Sequence, residues 1–134
     1  METAQFTYDE QIFSDLHKDA FGFRPRGHEF YDAAPERKQV IWDETLRVLE
    51  STLAEEKARK DEAAVAFEAR IAGLITTGAA DRSTAIRWYI NSMDLSRYDL
   101  AYGGGFVCWE LGLPYEGYKA EFDAAIKAGV TTRD

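Results

Sequence analysis

The sequence holds one cysteine and two histidines in 134 residues. A lone Cys108 excludes an internal disulfide, and so few soft ligands argue against a structural zinc site. No apolar run approaches the roughly 18–20 residues of a membrane span, and no basic-then-apolar leader opens the chain. These absences point to a reducing cytoplasm. Positive charge is also short. Sixteen Lys and Arg against 24 Asp and Glu leave a formal charge of -8. That balance disfavours non-specific duplex binding, because neutralising phosphates needs a basic face. An acid excess of this size serves solubility, or else lets an acidic face imitate nucleic acid toward a basic partner. Strand signals are scarce too, since no stretch alternates cleanly over five residues.

What is present is a globular composition: 46% hydrophobic and 30% charged, with eight Phe, seven Tyr and three Trp to fill a core. The length suits a single domain. Helical spacing accounts for most of it, so the expected class is all-α: one long charged helix with a compact bundle of shorter helices. The expected segments are 1–34, an N-terminal helix and Arg-Pro-Arg loop; 35–77, the long helix; and 78–134, the short-helix bundle.

Residues 1–7 read as a loose lead-in. Asp9 is a candidate N-cap for a helix from about Glu10 to Ala20, with Ile12, Phe13, Leu16 and Ala20 at helical spacing. Gly22 ends it, and Pro25 with Gly27 keeps the next segment extended or turned. Residues 27–34 form a helical turn or a loop. Pro35, suited to the first helical position, opens the long helix with Glu36 at the positive end of its dipole. Ile41 or Trp42, Thr45/Leu46, Leu49 and Leu53 step by three and four, as do Ala64, Phe67, Ile71 and Leu74/Ile75. Between them, 55–64 has no large apolar residue but two acid-before-base pairs, Glu55–Arg59 and Glu56–Lys60. A helical hairpin turning there is the alternative. A continuous helix of roughly 40 residues would run about 60 Å and leave part of itself for a partner or a second copy to cover. Asp81 or Ser83 caps a mostly buried helix carrying Ala85, Ile86, Trp88, Tyr89, Ile90 and Met93. A short helix or turn over 94–102, a flexible hinge at 103–105, a short helix over 106–111 and an amphipathic helix over 118–128 complete the chain.

The stretch Ser14–Gly27, SDLHKDAFGFRPRG, is the chemically dense one. His17, Lys18, Arg24 and Arg26 alternate with Phe21 and Phe23, pairing planar cation forks with aromatic faces. It reads as a site for a phosphate-bearing ligand or an acidic partner patch; alternatively Asp15, Asp19 and Glu29 neutralise the cations and the Phe residues anchor the loop. Arg87, with Arg82 and Trp88, could extend the surface, although a core helix explains 81–93 better. Catalytic sets are missing. Gly103–Gly105 lacks the Lys-Ser/Thr of a phosphate loop, Cys108 has no cationic neighbour in sequence, and no HExxH or carboxylate–histidine metal pattern occurs. His17 or His28 beside an Asp would be the acid–base pair of an enzyme, but no nucleophile accompanies either.

Three segments, Ser14–Gly27, Gly78–Ser92 (GAADRSTAIRWYINS) and Glu110–Tyr115 (ELGLPY), resemble a group of small uncharacterised proteins encoded by tailed bacteriophages and prophages. The resemblance spans roughly the first quarter and last two-fifths of the chain. It brings no functional residues with it; it implies a small accessory protein acting on a host protein, including defence systems such as CRISPR effectors. The expectation is therefore a non-enzymatic protein with no cofactor and no metal that binds and inhibits or redirects a host protein, with His17, Lys18, Phe21, Phe23, Arg24, Arg26 and Arg87 as contact residues. The alternative is nucleic-acid or small-nucleotide binding through the same residues. A homodimer through the long helix is also open.

Overall fold

A computed structural model describes residues 5–133, so part of the expected lead-in, 1–4, lies outside the described residues. Seven helices and no strand occur among those residues: α1 (Phe13–Phe21), α2 (Glu29–Asp32), α3 (Pro35–Thr77), α4 (Arg82–Ser92), α5 (Arg97–Ala101), α6 (Gly104–Leu111) and α7 (Tyr118–Ala128). The protein is all-α. No single helix among them is long and apolar enough to cross a membrane.

Helix α3 is one continuous element of 43 residues, not a hairpin. Its charged centre contains none of the Gly, Pro, Asn or Ser that a tight turn would use, and Lys57 pairs with Asp61 one turn on, at 2.7 Å. Packing nevertheless divides the chain within this helix. One compact unit ends at Glu56 and a second begins at Lys57. Charge divides there too: the sequence has thirteen acidic and six basic residues up to Glu56, and eleven and ten beyond it.

The first unit is built on an aromatic core of Phe13, Phe30 and Trp42. Phe13 and Phe30 stack with centroids 3.9 Å apart, and Trp42 tilts against Phe13 at 6.4 Å. From α3, Trp42 enters this core with Ile41 and Leu46 packed against it, and Thr45 is buried. Leu53, expected on the same stripe, is 54% exposed; Thr52 turns inward instead and donates to the Ala20 carbonyl at 3.1 Å. Helix α1 starts three residues later than expected. Asp9 does not cap it, because its carboxylate accepts locally from the Gln11 N–H at 2.8 Å, an Asx turn preceding the helix. Gly22, at φ 89°, closes α1 as expected, its N–H reaching the Lys18 carbonyl.

The second unit packs the later part of α3 with α4–α7 around Phe67, Ile71, Ile86, Ile90, Val107, Leu113 and Phe122. Phe67 is met edge-on by Tyr89, Tyr118 and Phe122 at 5.2–5.6 Å, the geometry that aromatic quadrupoles favour. Asp81 caps α4 by accepting from the Thr84 N–H at 2.8 Å, which holds its carboxyl below the usual range. Ser96 and Asp99 form a reciprocal capping box on α5. Arg82 joins three helices: its guanidinium donates to both oxygens of Glu68 on α3 at 2.6 and 2.8 Å and to both of Glu121 on α7 at 2.6 and 2.9 Å. Tyr118 adds its hydroxyl to Glu68 at 2.8 Å.

Two expectations change here. Residues 103–105 are not a flexible hinge: Gly104 is buried in the first turn of α6, directly against α7. Trp88 is not core either, being 44% exposed. Cys108 is fully buried, and that burial pushes its thiol up, the state of an inert cysteine.

Candidate functional site

Helix α1 and the loop after it fold back on one another through two polar links. The His17 Nδ1 lies 2.6 Å from the Phe23 carbonyl oxygen; a carbonyl only accepts, so Nδ1 carries the proton and donates. Arg24 Nη1 donates to Asp15 Oδ1 at 2.6 Å and to Ser14 Oγ at 2.9 Å. Arg24 is thus the internally paired arginine. Arg26, on the other side of Pro25, makes no ion pair among the described residues; its guanidinium carbon lies 4.9 Å from the Phe23 ring centroid, a cation–π placement.

These links present Phe21 and Phe23 to solvent, 43% and 46% exposed. The His17 ring lies 4.6 Å from Phe21 and 5.3 Å from Phe23. Beside them runs a cleft of about 300 Å³ whose walls include His17, Phe21, Arg26, Arg37, Glu29 and Glu44. Arg37 holds Glu29 at 3.5 Å across exposed surface. The cleft therefore offers an aromatic floor and charges of both signs. Its one hydroxyl, Thr45, donates to the Ile41 carbonyl at 2.8 Å.

Of the expected contact residues, His17, Phe21 and Arg26 meet at the cleft, and Phe23 stands behind Arg26. Lys18 is exposed but outside the lining, and Arg24 is spent on α1. Arg87 belongs to the second unit, its Nη2 3.4 Å from Thr84 Oγ1. Arg82, expected beside it, is engaged by Glu68 and Glu121. The cleft also contains residues the sequence stretch does not: Arg37, Ile41, Glu44 and Thr45 from α3. Their spacing of three and four marks one helix face, the signal that could have found them.

Among the described residues no group of three or more His, Cys, Asp or Glu is arranged to hold a metal ion. No protein-family model matches the chain, and neither a curated protein nor a solved structure matches it.

Proposed function

We propose that this is a non-enzymatic binding protein that captures a partner protein on the Phe21–Phe23–Arg26 surface. The observation that carries the reading is preorganisation. Two exposed phenylalanines and a stacked guanidinium are held in place by the His17–Phe23 and Arg24–Asp15 links before any partner arrives. Aromatic and Arg side chains dominate binding hot spots, and ordering them in advance removes part of the entropy cost of association. With the resemblance to small phage proteins, the partner becomes a bacterial host protein, such as a defence component, that is inhibited or redirected in the host cytoplasm.

Affinity purification from bacterial lysate tests this. The wild-type chain should retain a specific protein at a simple ratio, and Phe23→Ala/Arg26→Ala should lose it while staying folded. Recovery of nothing specific, or of the same protein by both chains, would sink the reading.

A second reading, binding of nucleic acid or a small nucleotide, is favoured by the unpaired Arg26 beside Phe21. Glu29 and Glu44 in the same cleft, and the acid excess of the first unit, weigh against it. Labelled RNA, DNA or cyclic nucleotide showing no shift at low salt would dismiss it.

A further inference from the structure

A second concavity, of about 480 Å³, lies in the second unit between α3 and α4. Arg70, Gly73, Leu74 and Thr77 form one wall at spacings of three and four; Trp88, Tyr89 and Ser92 form the other. Two of the three lining hydroxyls are turned to the backbone, Ser92 donating to the Tyr89 carbonyl at 2.6 Å and Thr77 to the Gly73 carbonyl at 3.0 Å, and the third is carried by Tyr89, whose ring packs on Phe67. What remains is an apolar, aromatic trough with a single charge, since Arg70 is the only ionised side chain in the lining. Arg70 is exposed and makes no ion pair among the described residues.

Gly73 adds an independent observation. It sits inside α3, where glycine is a poor helix former, yet no neighbour demands it: a Cβ built there meets nothing within 4 Å. Its effect is to leave the trough floor open. Trp88, exposed on an otherwise well-packed helix, faces the space so created.

We propose that this trough is a binding site for a small organic acid with an aromatic body, the ring lying against Trp88 and Leu74 and the carboxylate on Arg70. A volume of this order suits one small ligand. Guanidinium–carboxylate pairing beside an apolar wall is strengthened by its charge-assisted hydrogen bonds, and no acid in the lining competes for the cation.

Titrating ¹⁵N-labelled full-length protein with 3-phenylpropionate tests this, with 3-phenylpropionamide as the neutral control. The Trp88 indole N–H signal, assigned by its loss in Trp88→Phe, and the Gly73 amide should shift saturably with the acid. Arg70→Gln should weaken the apparent affinity about tenfold or more, Arg70→Lys less, and Gly73→Leu should abolish the shift by filling the floor. Arg70 is exposed, so its variants will fold, which the spectrum itself verifies. Failure of the acid to shift these signals saturably, equal shifts with acid and amide, or unchanged affinity in Arg70→Gln would each overturn the assignment.

Discussion

Gly104 and Asp123 bring α6 and α7 to backbone distance. The Gly104 N–H donates to Asp123 Oδ1 at 2.6 Å, and a Cβ on Gly104 would lie 2.8 Å from the Asp123 backbone nitrogen and closer still to the Lys119 carbonyl oxygen. Both obstacles are main-chain atoms, so a side chain cannot swing aside to make room.

Gly104→Ala should therefore destabilise the second unit by about 1–3 kcal/mol, the range for overpacking a close-packed contact. Asp123→Asn keeps an acceptor for the same N–H and should cost less. Chemical denaturation followed by circular dichroism checks the order of the two; an Ala variant as stable as wild type would refute the contact.

Gly73→Ala should act in the opposite direction. Space is free around that position, and replacing glycine inside a helix gains about 0.5–1 kcal/mol. A raised melting temperature is the expected outcome.

Stability should fall at both ends of the pH scale, through two clusters of polar groups in the second unit. Arg82, then Tyr118, hold the Glu68 carboxyl below its usual range, and the Gly104 N–H, then Lys119, do the same for Asp123. Groups depressed in the folded state stabilise it above the ordinary carboxylate range, about pH 4, and that contribution is lost as pH falls through the folded values. Tyr118 works the other way. Burial, then its hydrogen bond to Glu68, push the phenol up to about 12 from 10.0. Its contribution is complete below pH 10.0 and disappears as pH rises through the folded value. Urea midpoints measured across pH should show both losses, and Tyr118→Phe should flatten the alkaline one and, by taking a hydrogen bond from Glu68, reduce the acid one in part.

Arg24→Ala should barely change the melting temperature. The Arg24–Asp15 pair is 53% and 68% exposed, and such pairs contribute about 1 kcal/mol at most. Partner capture should nevertheless weaken, because the loop that carries Phe23 and Arg26 loses an anchor. Equal loss of folding and capture would mean that the link is structural only.

Local signals account for what was legible in the sequence. The bounds 118–128 of the last helix follow from its apolar spacing and the flanking Gly117 and Gly129, and Pro35 marks the start of α3. The link that joins Arg82 to Glu68 and Glu121 was not legible, because its partners stand 14 and 39 residues away and no spacing rule connects them. Trp88 and Leu53 were misplaced for a related reason: periodicity finds a helix face but not where neighbouring helices stop covering it. At the cleft, the α1 stretch announced its aromatics and cations, whereas spacing puts the α3 residues on one helix face without saying that this face meets the loop after α1.

The burial of Cys108 gives the protein a built-in reporter of opening. It is the chain's sole thiol and has no exposed surface in the folded second unit, so a thiol reagent reaches it only when that unit opens. Where labelling outpaces reclosing, labelling rates time the opening without an engineered probe. A new cysteine placed on the surface, for instance at Ser51, could be tagged selectively while Cys108 stays silent.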